Sequence, residues 1–312
     1  MNLFYRCLRS ALPSTWKSAS WLMKLMIPIT LAVTLLQHFG ILQWIAAYLN
    51  PVFTYFGLPG SSAVIFISGA AAGTYAGIAA MMTIHLTLRQ ATILGIMIAL
   101  CHALPMECAV NRKTGSSFWK MAVIRITMAF VCAFVLNLLL PEMQENYMYL
   151  GAPKDSTFGD VLVNWTVSQT KMTITVFLII YALMVVQRLI EALHWLEPLS
   201  RVLAPLMRVF GLPRQVSYMW LVGNVLGISY GSAVMLELQE RGMINKEDAN
   251  AVNYHLIMNH SLLEDTIVFA VTGISALWIV GTRVFFAMLL VWGKKLVSRC
   301  AYDVKSVGVQ RL

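Results

Sequence analysis

The sequence reads LNPVFTYFGLPGSSAVIFISGAAAGTYAGIAAM from Leu49 to Met81 and LAPLMRVFGLPRQVSYMWLVGNVLGISYGSAVM from Leu203 to Met235. An ungapped offset of 154 residues aligns the tetrapeptide FGLP in the two stretches. The same offset aligns Gly69, Gly73 and Gly77 with Gly223, Gly227 and Gly231. A shared motif followed by a shared glycine spacing indicates that the chain contains an internal duplication.

Polar positions extend the duplication beyond the glycines. After four extra residues in the second copy, an offset of 158 aligns three pairs of residues: His102 with His260, Glu107 with Asp265, and Arg125 with Arg283. The sequence is therefore divided into two repeats, with a linker between them and a tail at each end. The predicted limits are 1–17 (tail), 18–140 (repeat 1), 141–167 (linker), 168–298 (repeat 2) and 299–312 (tail).

The composition is that of a membrane protein. Of the 312 residues, 59% are hydrophobic and only 12% are charged, whereas charged residues make up about a quarter of a soluble domain. Backbone groups in hydrocarbon must be paired within the protein, which leaves helices or closed barrels. The apolar runs are long and unbroken rather than alternating, so we predict an all-α polytopic membrane protein with lipid as its main partner.

Each repeat offers the same five segments in the same order. They are 20–38, 40–59, 60–86, 90–110 and 117–140 in repeat 1, and 169–193, 195–213, 214–236, 249–270 and 274–297 in repeat 2. Two interpretations stay open for the glycine-rich third segment. It is either a re-entrant hairpin, with glycines at a tight reversal and close backbone approach, or a span that packs through small residues.

Basic residues orient the spans. Both tails are basic and the linker is acidic, so the positive-inside rule places both termini in the cytoplasm of a bacterium and 141–167 outside its inner membrane. Each repeat then crosses an odd number of times, and the repeats are inverted. The charges of equivalent loops support this inversion. The loop 111–120 carries three basic residues and its counterpart 269–278 carries none. Conversely, 195–214 carries three arginines and its counterpart 40–59 carries no basic residue. Topology thus explains the net charge of +9, and no nucleic-acid partner is expected.

FGLP, the glycine spacing and the His, acid and Arg positions resemble those of the nucleoside-recognition "gate" family. That family includes the gate domains of concentrative nucleoside transporters and of the ferrous-iron transporter B, and spore maturation and dipicolinate-transport proteins. The resemblance covers roughly 20–298 as two gate-like halves. It implies a transport role with inverted repeats and broken helices, but no particular substrate. The chain has no P-loop GxxxxGK[ST], which departs from the iron transporter.

Ionisable residues at membrane depth are costly and are usually functional. The candidates for substrate or ion binding are His102, Glu107, Arg125, His255, Asn259, His260, Glu264, Asp265 and Arg283. On a regular helix, His260 shares a face with Glu264, and His255 shares one with Asn259. His102 and Glu107 would diverge, but Pro105 between them can break the helix and turn both toward one cavity.

Two roles stay open for these residues where the repeats meet. The histidines and carboxylates could relay protons or hold a cation, and the sequence does not decide whether a metal binds. Arg125 and Arg283 could bind an anionic substrate. Alternatively, the arginines are structural counter-ions of Glu107 and Asp265.

The sequence predicts a permease for a small polar or anionic solute, nucleoside-like or a carboxylate, with proton coupling as an option. One alternative is a pathway for divalent cations, of the iron type. Another is a non-transporting assembly subunit that partners a second gate protein, and a homo-oligomer is also compatible. The sequence contains no HExxH motif, so we expect neither an enzyme nor a cofactor.

Overall fold

A computed structural model describes residues 3–150 and 157–309, with side chains through Ser298 except that of Leu25. Residues 3–150 form seven helices: α1 (Leu3–His38), α2 (Ile41–Phe53), α3 (Ser62–Ala72), α4 (Thr74–Met81), α5 (Leu88–Cys101), α6 (Leu104–Lys113) and α7 (Phe118–Leu139). A 3-10 turn at Thr54–Phe56 leads into the FGLP motif.

The second half repeats this order. Its helices are α8 (Phe158–Ala192), α9 (Leu196–Leu203), α10 (Leu206–Val209), α11 (Ser217–Val225), α12 (Ile228–Glu240), α13 (Lys246–Asn259), α14 (Leu262–Val271) and α15 (Ala276–Val309). A 3-10 turn at Arg214–Val216 follows the second FGLP. The all-α polytopic fold predicted from composition is confirmed.

Among the described residues, five elements are long and apolar enough to cross a membrane: α1, the α5–α6 pair, α7, α8 and α15 through Ser298. The pair α13–α14 occupies the position in repeat 2 that α5–α6 occupies in repeat 1. It is more polar, since it carries three histidine and acid side chains that are buried within the protein. With α13–α14 as a sixth crossing, each half would cross three times, the odd number that inverted repeats require.

The long first helices of the two halves run antiparallel. Near the start of α1, the Leu8 carbonyl accepts a hydrogen bond from Tyr181 late in α8 (3.2 Å). Near the end of α1, Thr30 accepts one from the indole of Trp165 early in α8 (3.3 Å). Equivalent helices that point in opposite directions are what inverted repeats require.

The glycine-rich segments are re-entrant hairpins. Helices α3 and α4 have 11 and 8 residues, or about 16 and 12 Å, roughly half the hydrocarbon thickness. The chain reverses between them at Gly73, whose φ is 107°. In repeat 2 the reversal between α11 and α12 lies at Gly227, with φ 91°. The structure thus decides between the two interpretations that the sequence left open.

The first long helix of each half begins well before the predicted span, 20–38 or 169–193. Helix α1 begins at Leu3, so residues 3–17 of the predicted tail are helical. Helix α8 begins at Phe158 because the Thr157 side chain caps it and Asp160 completes the capping box, so residues 158–167 of the predicted linker are helical. The repeat limits 18–140 and 168–298 stay predictions, and residues 151–156 of the linker lie outside the described residues.

Helix α5 forms the centre of the protein. All eleven residues from Ala91 to Cys101 are buried, and the helix packs against α7 of its own repeat and α15 of the other. Large apolar side chains such as Ile174, Leu178 and Leu277 are instead exposed on α8 and α15. Exposed apolar helices around an apolar centre are what a lipid-facing bundle requires.

Candidate functional site

The second crossing element of each repeat is broken at the same position. In repeat 1, α5 ends at Cys101 and α6 begins at Leu104, because Ala103 adopts a left-handed conformation with φ 43°. In repeat 2, Ser261 (φ 52°) separates α13 from α14. Pro105 lies in the first turn of α6, where proline is tolerated, and the equivalent residue of α14 is Leu263.

The hairpins support these breaks. The Ala103 N–H donates to the Gly69 carbonyl of hairpin α3–α4 (3.1 Å). The Ser261 N–H donates to the Gly223 carbonyl of hairpin α11–α12 at the same distance. Each break therefore receives one backbone acceptor from the hairpin of its own repeat, which replaces a bond lost from the helix.

The two arginines lie at equivalent positions behind the breaks. Arg125 and Arg283 are fully buried, and their Nε atoms donate to the Leu100 and Met258 carbonyls at 2.9 Å in both cases. Arg125 pairs with the Glu107 carboxylate. Arg283 pairs with Asp265 at 2.8 Å. The geometry fits counter-ions whose donors are directed at the protein rather than at the cavity.

The two equivalent histidines meet between the repeats. His102 Nε2 and His260 Nε2 lie 3.2 Å apart, and each lies 3.0 Å from Oε1 of Glu107. Their Nδ1 atoms face backbone carbonyls, those of Ile98 and Ala99 for His102 and that of Leu256 for His260. The structure therefore brings together three of the residues singled out by sequence.

The acidic residues of the second repeat are placed differently. Asp265 is one methylene shorter than Glu107 and, besides its arginine, accepts from the Thr74 hydroxyl of the other repeat (3.1 Å). Its neighbour Glu264 accepts from the Tyr75 hydroxyl (3.2 Å). The prediction that His260 and Glu264 share one helical face is wrong, since the left-handed Ser261 lies between them and ends the helix.

His255 and Asn259 share a face of α13 as predicted, with His255 Nδ1 3.1 Å from Asn259 Oδ1. Their surroundings differ from those of His260. The Trp220 indole donates to His255 Nδ1 (3.0 Å), and the imidazole packs on the Phe210 ring. Neither residue lines the cavity that begins at the histidine–glutamate cluster, so the structure separates this pair from that cluster.

A cavity of about 690 Å³ begins at the cluster and runs between α1, α8 and the hairpin tips. His102, Glu107, Glu264 and Asp265 line its inner end, with Gly73 and Gly227 at the tips. Sequence reasoning did not single out several other lining residues: Lys17, Thr74, Tyr75, Gln187, Arg188 and Ser229. Thr74 and Tyr75 align with Ile228 and Ser229, so a search for residues shared between the repeats passes over them.

Comparisons with known proteins agree with this architecture. A model of the Gate family, described as nucleoside recognition, matches residues 19–139. The "Uncharacterized membrane protein YvoD" of Bacillus subtilis (strain 168) is 31% identical over 294 residues, which cover 93% of each chain. No solved structure matches the chain. The inverted gate-like halves, the family match and this full-length relative together show that the chain belongs to the Gate, or nucleoside-recognition, family of membrane proteins.

Proposed function

We propose that this protein transports a small polar or anionic solute and that the central cavity is its pathway. The observation that carries the proposal is a cavity of about 690 Å³ at the interface of two inverted repeats. Cavities that bind small molecules measure about 300–1,000 Å³. Transporters built from inverted repeats bind their substrates where broken helices meet near the midplane.

The cavity opens toward the end of the bundle where α1 begins and α8 ends. Lys17 of α1 and Arg188 and Glu191 of α8 lie among its lining residues. Two basic groups against one acid favour an anionic solute at the mouth. With both termini in the cytoplasm of a bacterium, as the distribution of basic residues predicts, this opening faces the cytoplasm.

Tyr75 closes the pathway on the opposite side. The tyrosine lines both the central cavity and a second cavity of about 190 Å³ between α4, α8 and α14. Its hydroxyl is held by Glu264 of the other repeat. The side chain thus lies between the two cavities, and we assign it the role of the barrier.

The equivalent position in the other repeat is open. Tyr75 aligns with Ser229 and Glu264 aligns with Met106, and both Ser229 and Met106 line the central cavity. Helix α4 packs against α1, and the structure shows no comparable packing of α12 on α8 within the described residues. In a second state, the Tyr75 side would be open and the Ser229 side closed. The pathway would then open on the opposite side of the membrane, which is alternating access.

Filling the cavity tests the proposal. We expect Ser229→Trp to lower uptake of the transported solute to the level of protein-free liposomes, because the indole occupies the open pathway. Uptake into proteoliposomes is measured for a panel of labelled nucleosides, dicarboxylates and divalent cations. Ile174→Trp, on the exposed surface of α8, is the matched control and keeps wild-type uptake.

Two results would contradict transport through this cavity. One is wild-type uptake by the Ser229→Trp variant in correctly folded form. The other is a wild-type protein that moves no member of the panel and copurifies with a second gate protein, which would favour the assembly subunit instead.

Removing the barrier gives a separate prediction. We expect Tyr75→Ala to connect the two cavities and to release entrapped labelled xylitol from proteoliposomes without a driving gradient. Tyr75→Phe keeps the ring, loses only the hydrogen bond to Glu264 and stays impermeable. Equal xylitol retention by Tyr75→Ala and wild type would show that the barrier lies elsewhere.

A further inference from the structure

The hydrogen positions on the two central histidines follow from their neighbours. Nδ1 of His102 faces the carbonyls of Ile98 and Ala99 at 3.2 and 3.1 Å, and Nδ1 of His260 faces that of Leu256 at 2.7 Å. A carbonyl oxygen only accepts, so both Nδ1 atoms carry hydrogen. In the neutral imidazole, Nε2 then presents a lone pair.

Three lone pairs consequently converge on one point. The two Nε2 atoms and Glu107 Oε1 form a triangle with sides of 3.2, 3.0 and 3.0 Å. All three side chains are buried. Acceptor atoms in such contact repel each other in a low dielectric unless a cation lies among them. The cluster is therefore a cation site by its own geometry.

The shape of the triangle distinguishes a metal ion from a single proton. A proton lies nearly in line between two atoms and leaves the other sides of the triangle without a strong bond. A metal ion bound at about 2.0–2.1 Å from each atom would sit about 1 Å out of their plane, so all three ligands are satisfied at once. Imidazole and carboxylate are ligands for zinc and other first-row divalent ions.

The surroundings complete such a site. The backbone carbonyls fix the orientation of both imidazoles, as outer partners of metal-bound histidines usually do. Arg125 holds the second oxygen of Glu107, so only Oε1 is directed at the histidines. His102 and Glu107 line the central cavity, which leaves a fourth coordination position open to solute or water.

We propose that His102, Glu107 and His260 bind one divalent transition-metal ion between the two repeats. The inference rests on the proposed transport function in one respect: the bound ion is either the cargo or an ion that holds an anionic solute in the cavity. Asp265 supplies no second carboxylate, because Thr74 and Arg283 hold its oxygens.

Cobalt(II) binding to the purified protein, carried on an affinity tag without histidines, is the experiment. Four-coordinate cobalt absorbs visible light, so a titration gives both stoichiometry and coordination. We expect one cobalt ion per chain, displaced by zinc. His102→Gln, His260→Gln and Glu107→Gln should each weaken binding by more than about 100-fold, beyond what loss of an outer-shell partner costs.

Two controls make the titration specific. Glu197→Gln alters an exposed acid of α9, and His38→Ala removes an exposed histidine; both should bind cobalt as the wild type does. Gel filtration and thermal melting confirm that each variant is folded. Should a ligand variant fail to fold, the remaining two still decide the outcome.

The metal site is overturned if the wild-type protein binds neither cobalt nor zinc, in which case the cluster shares a proton. Wild-type affinity in both histidine variants would also overturn it, by placing the metal elsewhere. Neither result alters the Ser229→Trp uptake measurement, so failure of the metal site and failure of solute transport are distinguishable.

Discussion

Replacing Arg283 with leucine is expected to lower the free energy of unfolding by about 3–5 kcal/mol, the usual cost of breaking a buried ion pair. The guanidinium is fully buried, pairs with Asp265 at 2.8 Å and donates to the His260 carbonyl at 2.6 Å. Leucine leaves the carboxylate buried without its counter-ion. Unfolding of the purified protein in mixed detergent micelles measures the change.

Two further variants identify the cause. Arg283→Leu combined with Asp265→Leu removes both charges and should recover most of the lost stability, because an apolar pair can replace a buried ion pair at little cost. Arg201→Leu breaks an exposed ion pair with Glu197 and should change stability little. Equal stability of Arg283→Leu and Arg201→Leu would show that the buried pair is not structural.

Adding a methyl group at Gly231 is expected to separate the helices of the second hairpin. A Cβ built on Gly231 would lie 2.9 Å from the Gly223 Cα and 3.3 Å from the Gly223 nitrogen. Both atoms belong to backbone, which cannot rotate away. We therefore expect Gly231→Ala to cost about 1–3 kcal/mol, as overpacking does, and to lower uptake by displacing Gly227 at the hairpin tip.

Two other glycines give a graded comparison in the same thermal melting experiment. At Gly223 the new methyl group would meet Leu256, whose side chain can adjust, so Gly223→Ala should be milder. At Gly293 of α15 nothing lies within 4 Å, and alanine there should be neutral or slightly stabilising. A melting temperature for Gly231→Ala no lower than that for Gly293→Ala would contradict close packing of the hairpin.

The sequence predicted the duplicated, inverted architecture because duplication leaves a direct trace. FGLP, the glycine spacing and the aligned arginines required no knowledge of packing. The break at Ser261 left no such trace. No proline stands near it, and the helix ends because a hairpin carbonyl accepts the Ser261 N–H. A tertiary contact of this kind overrides local propensity, so the predicted pairing of His260 with Glu264 failed.

The differences between the repeats were harder to predict than their similarities. Alignment places Glu107 opposite Asp265 as if they were equivalent. Only the structure shows that the glutamate reaches both histidines while the aspartate is held by Thr74. The alignment does not identify Tyr75 either, because its counterpart in the second repeat is a serine. Its role follows from its hydrogen bond to Glu264, which only the structure shows.

That one-methylene difference has a consequence for how such a protein can arise and be made. Two identical half-length chains would have to insert into the bilayer in both orientations, and any mutation would change both sides of their axis together. A single chain whose halves each cross an odd number of times sets the opposite orientation of its second half during synthesis. It also lets the carboxylate of one repeat mutate independently of its counterpart in the other. The centre of the protein can then hold one asymmetric site instead of two equivalent sites.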